Sequence, residues 1–300
     1  MVPCAAMLSR RTFLQLSVTA AGSLAVPPLS FPVAASSIGV QLYTVRKEAE
    51  ANLPQVLKQL RAIRYDKVET YWNVYSHPAR DLRKMITDAG LTVPSGHFDY
   101  DGLSDKFGYA KELGVQFMVC PMLPKSMWGS LDAFRRAADQ FNRWGERARA
   151  MSMRFAFHNH NYEFRRFGQT TGFEALIEQT DPKLVFFEMD CYWITQAGED
   201  PVAMLRKLGN RIRMLHIKDR KPGFPSSQEL NDTAGHFTEV GNGSIQWKKV
   251  LGAAHDSRIE HMFVEQDESE RPPMESLRIS YRNLEKLMHN ERAEKGGNTH

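Results

Sequence analysis

The segment FHNHNYEF, residues 157–164, concentrates side chains that bind metal ions, move protons or form hydrogen bonds. His158 and His160 are two positions apart, so in an extended strand both lie on the same side. Glu163 follows them closely. Imidazole nitrogens and carboxylate oxygens are ligands of divalent transition metals. A metal site, a hydrogen-bonded loop and a polar surface turn all fit this composition, and the rest of the sequence has to choose among them.

Similar side chains stand at the ends of other short apolar runs. They are Glu69, His97, Asp190, His216, Lys218 and Glu265. Glu188 shares a face with Asp190, so either is a candidate ligand, and we choose Asp190 because it is nearer the end of its run. The opposite ends of these runs carry no comparable collection. This sorting of polar residues to one end favours a single shared site.

The elements that would position these residues alternate along the chain. Between residues 36 and 290, short β-branched or aromatic runs are followed by longer runs with apolar spacing of three and four. The first pair is SIGVQLYTV and NLPQVLKQLRAI, and the eighth is EHMFVEQD and PPMESLRISYRNLEKLM. Eight strand–helix pairs predict an α/β fold, a TIM (β/α)8 barrel with its working face at the carboxyl ends of the strands. An open doubly wound sheet would need a glycine-rich turn after the first strand, and none follows Gly39.

The two ends of the chain are predicted to lie outside this single domain. Residues 1–35 carry paired Arg10 and Arg11, then an apolar stretch, then Val33-Ala34-Ala35. This order is typical of a twin-arginine (Tat) signal peptide, which predicts export of the folded protein to the periplasm or cell exterior. The apolar stretch is too short and too interrupted for a stable membrane span. Residues 291–300 are predicted to be a disordered tail.

The net charge and the cysteines bear on two questions, nucleic-acid binding and disulfide bonds. The whole chain has a formal charge of +4, and without Arg10 and Arg11 it has 37 basic against 35 acidic residues. A net charge this close to zero gives no reason to expect a nucleic-acid partner. Cys120 and Cys191 both stand in apolar, strand-like runs, which favours buried free thiols.

Longer motifs resemble a known family. FFEMDCYWITQAGEDPVAMLRKLGNRIRMLHIKD, EVGNGSIQW, FVEQD and HNHNYEF together resemble the sugar phosphate isomerase/epimerase family, which has a xylose isomerase-like TIM barrel. The resemblance covers most of residues 37–288 and is strongest from 155 to 267. It implies one divalent metal held by Glu163, Asp190, His216 and Glu265, with Mn²⁺ the best match and Mg²⁺, Co²⁺ or Zn²⁺ as alternatives. It also implies a tendency to form homo-oligomers.

The chemistry expected of such a site is proton abstraction next to a carbonyl through a metal-stabilised enediolate. Glu163 and Glu265 are the predicted proton-transfer pair, and Lys218 assists them. The predicted substrate-binding residues are Glu69, His97, His158, His160 and Trp193. Trp193 stands roughly where the epimerases have a sugar-binding histidine, so the substrate contacts are expected to differ from theirs.

Three functions remain open at this point. The first is a sugar isomerase or epimerase. The second is a 3-keto-glycoside lyase or hydratase, in which the same intermediate expels a β leaving group. The third is a non-catalytic sugar-binding subunit, which would not need intact metal ligands. The expected partner in each case is a small-molecule sugar or glycoside, and export favours an unphosphorylated one.

Overall fold

The fold was analysed in a computed structural model, which describes Met1 and residues 37–296, with side chains up to residue 289. Apart from Met1, the predicted signal peptide at residues 1–35 lies outside the described residues. None of the helices in the described part is both long and apolar enough to cross a membrane.

Eight parallel strands close into a barrel in which each strand pairs with its neighbours along the chain and the first pairs with the last. The strands are β1 (Gly39–Gln41), β2 (Lys67–Thr70), β3 (Thr92–His97), β4 (Phe117–Cys120), β5 (Arg154–His158), β6 (Val185–Asp190), β7 (Ile212–Ile217) and β8 (His261–Val264). The predicted TIM barrel is therefore confirmed. The first strand is shorter than the run SIGVQLYTV suggested, because the chain enters a 3-10 helix at Leu42–Val45.

Helices follow the strands and cover the barrel from outside. They are α1 (Arg46–Ile63), α2 (Ala79–Asp88), α3 (Phe107–Leu113), α4 (Leu131–Ala150), α5 (Gly172–Gln179), α6 (Cys191–Gln196), α7 (Pro201–Leu208), α8 (Trp247–Asp256) and α9 (Pro273–Gly296). Helix α9 includes residues 291–296, the start of the segment predicted as a tail, because NERAEK continues a run of good helix formers. Residues 297–300 lie outside the described part.

Inward-facing side chains fill the barrel in layers, with an apolar layer below and polar layers above it. Its floor is an apolar cluster of Phe117, Val119, Ala156, Met214 and Phe263. Gly39 is required there, since a Cβ at this position would lie 2.5 Å from the ring of Phe263. Side chains alternate along a strand, so the inward residues one step further along β5, β6 and β7 are His158, Glu188 and His216. Polar side chains thus begin directly above the apolar floor.

Two short antiparallel strand pairs lie in the loops that follow β5 and β7. One pairs Arg166–Phe167 with Thr170–Thr171, and the other pairs Asp219–Arg220 with Phe237–Thr238. Buried Asp219 holds the following loop by accepting hydrogen bonds from the N–H groups of Gly241 and Gly243 and from Trp247 Nε1. Cys120 and Cys191 are buried and free, as the sequence indicated.

Candidate metal centre

His216 stands at the centre of a buried polar cluster, with its two ring nitrogens facing different groups. Its Nδ1 lies 2.8 Å from Glu265 Oε2 and 3.8 Å from Asp190 Oδ2. His158 Nε2 lies 3.8 Å from the same Asp190 oxygen. We call His158, Asp190, His216 and Glu265 the rim group. Parallel pairing sets Asp190 directly beside His216, so the register of β6 and β7 builds half of this group.

Three members of the rim group, Asp190, His216 and Glu265, fit a single divalent cation. Ligands about 2.1 Å from one ion lie roughly 3–4 Å from one another, and the distances above fall in that range or just short of it. Nearest atoms of Asp190, His216 and Glu265 all lie within 4.8 Å of one another. Asp190 Oδ2 is buried and accepts no hydrogen bond, while its Oδ1 accepts the N–H of Trp193 at the start of α6. Imidazole nitrogen together with carboxylate oxygens suits Mn²⁺, Co²⁺ or Zn²⁺.

Charge balance also favours a cation at this place. Five carboxylates surround the centre. Among the described residues, Lys218 is the only Lys or Arg that forms an ion pair with any of them. The five are Glu69, Glu188, Asp190, Glu265 and Asp267. Lys218 Nζ lies 2.8 Å from Glu265, 2.8 Å from Asp267 and 3.2 Å from Asp190. Buried carboxylates are stable only when positive charge or hydrogen bonds compensate them.

The pKa shifts identify which carboxylate is least compensated. Burial would lower the pKa of Lys218, but Asp190, Asp267 and Glu265 raise it well above its ordinary value. Burial would raise the pKa of Glu265, and Lys218 and His216 instead hold it low. For Asp190, burial outweighs Lys218 and His216, so its pKa is raised. Asp190 is therefore the rim carboxylate most in need of further positive charge.

A second set of residues, which we call the inner layer, lies against the other side of His216. It consists of Glu69, His97 and Glu188. His216 Nε2 lies 2.6 Å from Glu69 Oε2 and 3.2 Å from Glu188 Oε2. His97 Nε2 lies 2.7 Å from Glu188 Oε2 and 3.2 Å from Glu69 Oε2. His158 Nδ1 lies 3.2 Å from Glu188 Oε2, so both rim histidines rest on this layer.

Within the inner layer, the charges of the histidine and the carboxylates compensate one another. Burial would lower the pKa of His97, but Glu69 and Glu188 raise it to about 9. Burial would raise the pKa of Glu69, and His97 and His216 hold it well below its ordinary value. Gln41 Nε2 donates a further hydrogen bond to Glu69 Oε2 at 2.7 Å. One ligand atom each from His97, His158, Glu188 and His216 also lies within 4.8 Å of the others, which is close enough to hold an ion.

The segment HNHNYEF turns out to serve several purposes. His158 joins the rim group, and Asn159 Oδ1 accepts the N–H of Asp190, which fixes the end of β6. Asn161 Nδ2 donates to the carbonyls of Ser227 and Glu229, which anchors the loop after β7. Glu163 Oε2 accepts the N–H of His160 at 2.9 Å, inside its own loop.

Glu163 is not brought together with the other three predicted ligands. The chain leaves β5 at His158 and enters a 3-10 helix at Tyr162–Phe164, so the Glu163 side chain turns back onto its own loop. It belongs to neither of the two described groups of candidate ligand atoms. Burial raises its pKa to about 8. Its role as a ligand stays a prediction.

Other predicted residues are placed as follows. Glu69 and His97, predicted to bind substrate, lie in the inner layer and contact His216. His160 and Trp193 lie on the mouth side, with ring centroids 5.0 Å apart. The His160 Nδ1 and Trp193 Nε1 atoms are both buried without a hydrogen-bond partner, as is the Tyr192 hydroxyl. Asp267 and Gln41 were missed, although Asp267 stands two residues after Glu265 in FVEQD and so faces the same way.

Comparison with known proteins identifies the family. Residues 57–287 match the model of the xylose isomerase-like TIM barrel. The chain belongs to this family. An inosose dehydratase of Clostridium botulinum is 30% identical over 238 residues, covering 68% of this chain and 79% of the relative. An inosose dehydratase of Clostridium tetani is 30% identical over 170 residues, covering 52% of this chain and 53% of the relative.

A solved structure supports the same placement. A sugar phosphate isomerase/epimerase from Parabacteroides distasonis superposes with a TM-score of 0.70 at 26% identity, covering 85% of this chain and 96% of that one. The chain is therefore an enzyme of the sugar isomerase, epimerase and dehydratase superfamily, with a buried histidine and carboxylate site consistent with a divalent metal.

Proposed function

We propose that the protein is a metal-dependent lyase that removes a β leaving group from a keto-sugar or keto-polyol. The observation that carries this proposal is the convergence of the rim group with Lys218. A divalent cation held by His158, Asp190, His216 and Glu265 would supply the positive charge that acidifies a C–H bond next to a carbonyl and stabilises the resulting enolate.

Glu265 and Lys218 are suited to the proton transfers. Glu265 takes the proton from the carbon next to the carbonyl, and the electron pair of that C–H bond forms the new C=C bond. The bond from the β carbon to its oxygen breaks, and Lys218 gives that oxygen a proton. Glu265 Oε2 is 2.8 Å from Lys218 Nζ, so the proton taken from carbon can return to Lys218. The net change is loss of water or an alcohol, with no redox step.

Elimination is favoured over epimerisation by the position of Glu163. Inversion of a carbon centre needs two proton-transfer groups on opposite faces of the substrate, for which Glu163 and Glu265 were the predicted pair. Glu163 bonds within its own loop, whereas Glu265 and Lys218 are adjacent and act from one side. The curated relatives described above are named inosose dehydratases, which supports elimination of water.

Aldose–ketose isomerisation is the second candidate, because it also needs only one side of the substrate. It is supported by the similarity to a sugar phosphate isomerase/epimerase structure. In both reactions the unpartnered atoms at the mouth, His160 Nδ1, Trp193 Nε1 and the Tyr192 hydroxyl, would bind substrate hydroxyls. We also propose, from the sequence alone, that the protein works outside the cytoplasm.

The test is to incubate Mn²⁺-loaded protein with inososes, keto-sugars and keto-glycosides in deuterated water. Elimination is expected to give an unsaturated ketone and a loss of the leaving group, seen by mass spectrometry and ultraviolet absorbance. Solvent deuterium in an intact, rearranged sugar would indicate isomerisation instead. Binding of metal and sugar without either product would contradict both proposed reactions.

A Lys218→Met variant separates the two proton transfers. Exchange of the C–H proton with solvent is expected to continue, because Glu265 remains, while loss of the leaving group falls about 10²-fold or more. Equal rates of elimination in this variant and in the parent protein would contradict the role given to Lys218.

A further inference from the structure

A cavity of about 280 Å³ lies between the loops that follow β2 and β3. Both loops leave the carboxyl ends of their strands, so the cavity is on the same face of the barrel as the rim group. Its lining mixes aromatic rings with acidic and amide side chains, chiefly Trp72, Asn73, Tyr75, Phe98, Asp99 and Asp101. This composition differs from that of a cavity of about 360 Å³ at the amino ends of β7 and β8, whose lining contains no aromatic residue.

Trp72 forms an exposed platform at this cavity. It is 39% exposed, and its ring is held by Tyr43 at 5.6 Å and by the edge of Tyr71 at 5.5 Å. Among the described residues other than Met1, the exposed large apolar side chains are Trp72 and Phe224, and both stand in loops at this face. A tryptophan that is fixed by neighbours and left uncovered offers a rigid aromatic face to a ring-shaped ligand.

The platform is tied to the catalytic side of the barrel through Arg46. Arg46 donates to the carbonyl of Tyr43 at 3.0 Å and to the carbonyl of Asp267 at 2.9 Å. Asp267 Oδ1 in turn lies 2.8 Å from Lys218 Nζ. A short chain of direct contacts therefore runs from Trp72 through Tyr43, Arg46 and Asp267 to Lys218.

We propose that this cavity is a second ring-binding subsite, which takes a sugar ring joined through oxygen to the sugar held at the rim group. The aromatic face of Trp72 would pack against the C–H face of the ring, and Asp99, Asp101 and Asn73 would bond its hydroxyls. This inference rests on the proposed lyase function and narrows its leaving group. The bond that breaks joins the β carbon to the bridging oxygen, which takes the Lys218 proton and leaves with the second ring as a free sugar.

The test compares one-ring and two-ring ligands on the metal-loaded protein. Glucose, cellobiose, maltose, trehalose and phenyl β-glucoside are titrated by calorimetry, and saturation-transfer NMR reports which ring protons touch the protein. At least one disaccharide is expected to bind about tenfold more tightly than glucose, with saturation on its second ring. No preference for any disaccharide, or a preference for the phenyl glycoside alone, would overturn the proposal of a sugar subsite.

Matched variants tie the preference to Trp72. Trp72→Ala is expected to abolish the preference for two rings and the signal from the second ring, and Trp72→Phe to retain most of both. Phe224→Ala removes the other exposed aromatic side chain at this face and is expected to keep the preference. An unchanged preference in Trp72→Ala contradicts the proposal.

Failure of this inference can be told apart from failure of the proposed function. The titrations are repeated with Glu265→Gln, which is expected not to turn over, so binding is measured without reaction. A Trp72-dependent preference in a protein that never eliminates would uphold the subsite and reject the lyase. Elimination from substrates with no Trp72-dependent preference would do the opposite.

Discussion

The rim group and the inner layer are built from the same residue types but have different tasks. In the inner layer, the Oε2 atoms of Glu69 and Glu188 lie 2.6–3.2 Å from ring nitrogens of three histidines, which are hydrogen-bond distances. In the rim group, Asp190 Oδ2 accepts no hydrogen bond and lies 3.8 Å from a nitrogen of each rim histidine, with Lys218 Nζ at 3.2 Å.

His216 and His158 connect these two regions through their opposite ring nitrogens. A carboxylate that accepts a proton from one nitrogen of an imidazole fixes the ring and directs the other nitrogen to a metal. We therefore infer that the inner layer orients the rim histidines, whereas the rim group carries the cation and the chemistry.

The largest effect is expected from Glu265→Gln in the rim group. Turnover should fall by about 10³-fold or more, because the amide accepts no proton and offers a weaker ligand oxygen. Steady-state rates on a substrate found in the deuterium experiment, together with metal content, measure this. Full activity in the variant would remove the rim group from the account.

An intermediate effect is expected from Glu188→Gln in the inner layer. The dissociation constant for Mn²⁺ should rise about 10–100-fold, because His158 and His216 lose the acceptor that fixes them. Competition with a fluorescent chelator measures the affinity, and the visible spectrum of the Co²⁺-loaded protein reports the changed ligand geometry. Glu163→Gln is the matched control, as another buried glutamate outside both regions. Unchanged affinity and spectrum in Glu188→Gln would show that the inner layer does not orient the ligands.

The smallest effect on metal binding is expected from Glu163→Gln, which should change stability instead. The pKa of Glu163 is raised from 4.5 to about 8 by burial, so its neutral form stabilises the fold below pH 4.5 and that contribution is lost as pH rises through 8. Glutamine cannot ionise. Between pH 6 and 9, the unfolding free energy of the variant should therefore gain about 2–3 kcal/mol relative to the parent protein.

Urea unfolding of metal-free protein at both pH values, with Mn²⁺ titrations alongside, checks this. A large loss of Mn²⁺ affinity in Glu163→Gln would instead support the ligand role predicted from the sequence.

The sequence was informative about the fold because barrel strands and helices have different periods. Alternation of strand and helix predicted the eight elements, and the polar strand ends predicted the face that carries the site. Asp190, His216 and Glu265 could be found this way, since each lies at or just past the carboxyl end of its strand.

Depth within the barrel and loop direction were harder to predict. Glu69 and His97 also end strands, but barrel strands are staggered, so equal positions along strands are not equal heights. They lie in the inner layer instead of contacting the mouth. The direction of the Glu163 side chain depends on where β5 stops, and element boundaries are poorly determined by local sequence.

The central claim is that one divalent cation binds the rim group. Metal-free protein titrated with Mn²⁺, followed by electron paramagnetic resonance, is expected to bind one tight ion per chain in the parent protein. Asp190→Asn should lose that tight ion, and His97→Gln should retain it with weaker affinity. Retention of the ion in Asp190→Asn together with its loss in His97→Gln would place it in the inner layer and contradict the account.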